Sequence, residues 1–128
     1  MIKILLVLLL GSFVNQNESH QTPLKIIYDD SGKEFNFSVA DEFFVSLKGN
    51  PTTGYTWSIS KIDSALLRQI GDVEYKPESP KMGAPGQQIF RFLCLDTGSS
   101  ELRLIYHRPW EKNTVPIDSF AVTVVIAK

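Results

Sequence analysis

Apolar residues recurring at every second position, turn-rich segments between them at short intervals, and a single cysteine in 128 residues predict an all-β protein. The predicted architecture is an immunoglobulin-like β-sandwich of about seven strands with no disulfide. A small barrel is the alternative architecture. The length suits one domain, and 43% hydrophobic with 21% charged residues is a globular mixture. Thirteen Lys and Arg against fourteen Asp and Glu give a formal net charge of −1, so no basic excess is available for nucleic acid or an anionic membrane surface. With one Cys and two His there is no disulfide framework and no recognisable zinc motif, and the core must be hydrophobic.

At the N-terminus, Met1-Ile2-Lys3 sets one positive charge before an apolar run over residues 4–14, and a polar stretch follows. That order is the shape of a secretory signal peptide. The run stops well short of the roughly 20 apolar residues a membrane span needs, so no span is expected in the mature chain. Residues 1–14 are read as the signal peptide, 15–23 as a polar tail and 24–128 as the sandwich domain; a buried N-terminal strand is the competing reading of the run. The expected location is the secretory pathway, either secreted or in the lumen of a lysosome or phagosome, as a monomer. Two sequons fit that route, Asn17-Glu18-Ser19 and Asn36-Phe37-Ser38, whereas Pro51 blocks the acceptor geometry of Asn50-Pro51-Thr52.

From Leu24 onward the alternation is carried by Phe35, Phe37 and Val39, by Phe43, Val45 and Leu47, and by Tyr55, Trp57 and Ile59. It returns over residues 89–95, then in Leu102, Leu104 and Tyr106, and finally in Phe120, Val122, Val124 and Ile126. Turn residues fill 29–33, 49–54, 77–86, 96–100 and 108–116. One helical stretch of a turn or two is expected over 63–70, with Asp63 as N-cap and Leu66, Leu67 and Ile70 at helical spacing. If consecutive strands run antiparallel, the 49–54, 77–86 and 108–116 loops fall at one pole, and the 61–71 and 96–100 connections at the other. A rigid sandwich presenting three loops at one end has the layout of a binding module.

Each loop has its own chemistry. In Asn50-Pro51-Thr52-Thr53-Gly54, Pro51 fixes φ, two Thr have stiff χ1, and Gly54 can take positive φ, so the product is a stiff, uncharged wedge. Its plainer reading is a tight turn. In the longer second loop three prolines limit freedom, while Gly83 and Gly86 leave backbone open around Met82, Ala84 and Pro85; a flexible insertion is the plainer reading there. Arg108-Pro109-Trp110 follows a strand and places a Trp outside the alternation, beside an Arg, which is the chemistry of an interface hot spot. Trp57 keeps phase and reads as a core anchor, and Cys94 as a buried structural thiol. His107 lies one residue from the Arg-Pro-Trp loop, and His20 lies in the tail. Nothing points to catalysis, to a metal or to a cofactor. On the residues alone, the readings left open are a secreted adhesion or ligand-binding module and a hydrolase whose carboxylates meet only in the fold.

Taken in order, Asn50-Pro51-Thr52-Thr53-Gly54-Tyr55-Thr56-Trp57, the Gly83-x-x-Gly86 loop ahead of an aromatic strand, and Arg108-Pro109-Trp110 resemble the chagasin family of cysteine-protease inhibitors. The resemblance covers residues 24–126. It implies a non-enzymatic, tight-binding, reversible and competitive inhibitor of papain-like, cathepsin-type cysteine proteases. It further implies that residues 50–54 enter the active-site centre with Thr52 and Thr53 nearest the catalytic Cys and His, and that Tyr55 belongs to the same protease-binding set. The 82–86 loop is implied on the non-primed side, and Trp110 on the primed side with Arg108 and Pro109 beside it. Pro85 departs from the more glycine-rich form of the second loop.

Overall fold

The computed structural model describes residues 22–128; the signal-peptide reading, Asn17 and His20 lie outside them. The described chain forms β1 (Leu24–Ile27), β2 (Glu34–Ser38), β3 (Glu42–Gly49), β4 (Thr56–Lys61), β5 (Leu67–Gln69), β6 (Glu74–Pro77), β7 (Gly86–Cys94), β8 (Gly98–His107) and β9 (Asp118–Ala127). One sheet runs β1-β3-β7-β5, with β6 also on β7, and the other runs β2-β9-β8-β4. The two inner faces supply one continuous core, with Phe43, Val45, Phe90 and Phe92 from the first sheet against Leu102, Leu104, Phe120 and Val122 from the second. These are the residues whose period-two spacing carries the prediction, because alternate side chains of a strand leave on opposite faces. Phe37, Phe43 and Phe92 continue the packing as a stack, with centroid separations of 4.6 and 5.3 Å. Burying a large apolar side chain stabilises by roughly 1.5–3 kcal/mol each, which replaces the disulfide that Cys94, alone and buried, cannot make.

Two expectations are corrected. The 63–70 segment is not a helix. Asp63 does cap one turn, with Oδ1 accepting from Ala65 N at 3.0 Å and its carbonyl accepting from Leu66 N and Leu67 N. Leu67 then pairs with Cys94 as the start of β5, since pairing an open edge of β7 outweighs a weak helical preference. Among the described residues the strands number nine rather than about seven, because β1, β5 and β6 are short pieces.

The parity argument survives the extra strands for a geometric reason. Both β5 and β6 are antiparallel to β7 and lie along successive stretches of the same β7 edge, so together they act as one strand interrupted near Gly71, whose φ is +68°. Gly49 and Pro77 both pair with Gly86, and Thr56 pairs with His107. The 50–55, 78–85 and 108–117 loops therefore leave from one pole. β1 runs parallel to β3 and β2 parallel to β9, so Leu24 and Ala127, the outer ends of the framework, both sit at the opposite pole beside the 95–97 turn.

Candidate functional site

The wedge is built from the inside. Residues Pro51–Thr53 form a single 3-10 turn, with Asn50 as its N-cap and Gly54, at φ +84°, as its C-cap. A left-handed C-cap favours glycine because a Cβ there is strained. Asn50 organises the turn through its side chain: Oδ1 accepts from Thr52 N at 3.2 Å and from Thr52 Oγ1 at 2.6 Å. The Asn50 carbonyl accepts from Thr53 Oγ1 at 2.7 Å and from Thr53 N at 3.1 Å, while Pro51 O accepts from Gly54 N at 3.0 Å. Thr53 Oγ1 in turn accepts from Tyr55 N at 3.3 Å. Pro51, Thr52 and Thr53 are exposed, and the loop they form is fully cross-braced.

The second loop is fastened at its base. Glu78 N donates to Pro85 O at 2.9 Å and Ala84 N to Lys81 O at 3.2 Å. Gly83, at φ +81°, makes the turn, which leaves Met82 fully exposed at the apex. Ala84 O accepts from Tyr75 OH at 3.1 Å. The two glycines differ in kind. A Cβ on Gly83 meets nothing, whereas on Gly86 it would collide with Lys76 O and the Tyr75 ring. Gly86 is buried and holds strand pairing together; it has no surface to offer a partner.

The third loop supplies Pro109 and Trp110, both exposed, with Trp110 at 65%. Val115 and Ile117, further along the same loop, are also exposed apolar residues that sequence reading did not single out; their only signal is two aliphatics outside the alternation. Arg108 is half-buried and turned inward. Its Nε donates to Thr53 O at 3.2 Å, its guanidinium lies 4.5 Å from the Tyr55 ring centroid, and Nη1 is 3.5 Å from Glu111 Oε2.

The structure thus brings the three loops together. Asn50 Nδ2 donates to Gly83 O at 3.2 Å, joining the first to the second. Arg108 joins the third to the first, and the Trp110 ring occupies the space that a Cβ on Gly54 would need. Beneath them Tyr55 stacks on Tyr106 at 5.5 Å, and Tyr106 meets Trp57 at 5.1 Å. Trp57 is 4% exposed and its Nε1 donates to Lys48 O at 3.0 Å, so it is a satisfied core residue. Tyr55 is support for the wedge more than outer surface.

Other residues weighed in the sequence lie apart from this arrangement. His107 faces outward and shares a hydrogen bond with Ser58 Oγ at 3.0 Å. Burial, with the nearby Asp41 charge, pushes the Cys94 thiol up to about 11, which suppresses the thiolate a nucleophile needs. Asn36 is exposed on β2, opposite Val125. Among the described residues no group of His, Cys, Asp and Glu is arranged to hold a metal ion, and no helix is long and apolar enough to cross a membrane.

Comparison with known proteins accords with this geometry. Residues 36–124 match the family model described as Chagasin family peptidase inhibitor I42. The chain is 30% identical over 92 residues to amoebiasin-2 of Entamoeba histolytica, a match covering 71% of this chain and 75% of that protein. It is 24% identical over 102 residues to chagasin of Trypanosoma cruzi, covering 77% and 93% respectively. The crystal structure of the cysteine protease inhibitor EhICP2 from Entamoeba histolytica superposes with a TM-score of 0.74 at 27% identity, over 81% of this chain and 95% of that one. The family model covers more than half of the sequence and the sandwich superposes on that of a known cysteine protease inhibitor, so the chain belongs to the chagasin family of peptidase inhibitors.

Proposed function

We propose that the protein is a reversible, competitive inhibitor of papain-type cysteine proteases, which it blocks by seating residues 50–54 in the catalytic cleft while Met82 and Trp110 flank them. The observation that carries this reading is the convergence of the three tips on one pole around an uncharged, closed wedge. Papain-type enzymes cut an extended peptide whose carbonyl reaches both the thiolate and the oxyanion donors. Residues 51–53 are wound into a 3-10 turn whose carbonyls at Asn50 and Pro51 already accept intraloop hydrogen bonds. A segment in that conformation fills the cleft without presenting a bond in register for attack.

The hydroxyl protons add a preference. Thr52 Oγ1 donates to Asn50 Oδ1 and Thr53 Oγ1 to Asn50 O, so toward a partner both hydroxyls act through their remaining acceptor capacity. A cleft whose centre is a protonated His beside a thiolate, with oxyanion N–H groups nearby, offers the matching donors. With no charge on residues 50–54, the desolvation cost of entry stays small. Trp110 and Met82 supply apolar area on either side, and an exposed Trp is the residue type that carries ≥ 2 kcal/mol at interfaces, roughly, by truncation.

Titration of the folded protein against papain or a cathepsin-type enzyme with a small fluorogenic substrate tests the reading. Stoichiometric, competitive inhibition with the inhibitor recovered intact is the expected result; unchanged activity at micromolar inhibitor rejects it. The same proposal assigns the chain to the secretory pathway, for secretion or delivery to a lysosomal or phagosomal lumen. The charge-then-apolar order of residues 1–14 supports that assignment, and so does the exposed sequon at Asn36. N-terminal sequencing of the cellular protein checks it: a chain that still begins at Met1 in the cytosol overturns the location.

A further inference from the structure

Both feet of the wedge are held by side chains that belong to neither the loop nor its flanking strand. The leading foot is Asn50, whose backbone N donates to Tyr106 OH at 3.1 Å from β8. The trailing foot is the Thr56-Trp57 step of β4. There Trp57 N donates to Gln88 Oε1 at 2.9 Å, and Gln88 Nε2 donates to Thr56 Oγ1 at 2.9 Å. Gln88 is rooted in β7, in the opposite sheet from β4, so its amide spans the sandwich at the loop-bearing pole. Gly49 leaves just enough room for this arrangement: a Cβ there would lie 3.1 Å from Gln88 Oε1 and 3.4 Å from the Tyr106 ring. Both residues sit at positions where period two puts apolar side chains, yet they present polar atoms inward, and among the described residues every buried side-chain polar atom is satisfied.

We propose that Gln88 and Tyr106 are positioning residues for inhibition. They form a two-point latch that fixes the wedge relative to both sheets and so relative to the 78–85 and 108–117 loops. The inference rests on the protease-inhibitor reading. Neither side chain needs to touch the enzyme; each acts by holding the binding-competent geometry populated in the free protein. A loop competent only part of the time has its apparent affinity reduced by that fraction, and the loss falls on association.

The test uses Tyr106→Phe, which deletes one hydroxyl, and Gln88→Met, which keeps the length of the side chain and removes both hydrogen bonds. For each, inhibition kinetics against a papain-type enzyme are measured together with active-site titration, and amide exchange is followed at Thr52, Thr53 and Gly54 against strands β8 and β9. Tyr106→Phe is expected to raise Kd about fivefold and Gln88→Met about 25-fold, in line with the net worth of one and two hydrogen bonds. The loss should be mainly in association, with titration stoichiometry unchanged, faster exchange in the wedge and unchanged exchange in β8 and β9. A purely structural role would instead lower the active fraction and speed exchange everywhere, leaving the Kd of the folded fraction at the parental value, and that pattern overturns the proposal. So does parental wedge exchange in both variants. If Gln88→Met fails to fold, Tyr106→Phe alone decides by the same criteria. If the parent itself inhibits no papain-type enzyme, the function fails, while the exchange data still report on the latch.

Discussion

Two neighbouring loops at the same pole are stiffened in different ways. Residues 50–54 close on themselves, with Asn50, Thr52 and Thr53 supplying donors and acceptors to one another inside a single 3-10 turn. Residues 78–85 are fastened across the base, at Glu78 to Pro85, and over one turn, while Met82 at the apex stands free. The difference teaches where precision is needed. In the proposed mode of binding, the loop that must avoid presenting a cleavable bond is the one braced at every residue, and the loop to its side keeps one adaptable thioether.

The largest expected effect comes from removing the brace. Asn50→Ala deletes the cap for Thr52 and the link to Gly83, and should weaken inhibition by about 2–3 kcal/mol, or roughly 30- to 150-fold, whereas Met82→Ala should cost under about 1 kcal/mol. Equal losses for the two variants, by steady-state inhibition, would abolish the distinction. Trp110→Ala comes next, at about 2 kcal/mol and mostly in dissociation rate, because its exposed ring is contact area and not a brace; surface-binding kinetics separate the two rates. Gly54→Ala is smaller, with about 1–2 kcal/mol lost from thermal stability through left-handed strain, together with displacement of the Trp110 ring, which Trp fluorescence reports. Pro85→Gly should lower stability by only about 0.4–1 kcal/mol through added freedom in the unfolded chain, read as a small shift in Tm.

The least effect is expected at Cys94, an internal control. Its thiol is raised from 9.0 to about 11 in the folded state, so the native protein keeps a proton that the unfolded chain gives up first as pH rises. That contribution to stability is complete below pH 9 and is lost toward about pH 11. Cys94 alkylation near pH 8 should report global opening only, and should proceed at the parental rate in the Met82→Ala protein.

The strands with an inward apolar stripe were legible in the sequence because burial on one face imposes the alternation directly, as Phe43, Val45 and Leu47 show. Strand β6 was not, since Glu74–Pro77 is exposed throughout and exists because β7 has an edge to pair. Leu66, Leu67 and Ile70 fit one helical face in sequence, and only the place of Cys94 opposite Leu67 makes them a turn and a strand. The wedge could be read as stiff from Pro51 and its two Thr, whereas its bracing depends on which hydroxyl meets which oxygen. Gly86 illustrates the limit best. Its role as buried strand partner rests on Tyr75 and Lys76, which no local pattern connects to it. The hydrogen bonds of Gln88 and Tyr106 are beyond any local pattern for the same reason, as their partners lie 31 and 56 residues away along the chain.

The parallel placement of β1 and β2 on the sheet margins has a practical meaning for presentation. Leu24 and Ala127 both lie at the end remote from the three tips, so the molecule has a handle and a working end. A fusion partner or a sensor surface joined beyond Ala127 grips the handle and leaves the working end facing outward.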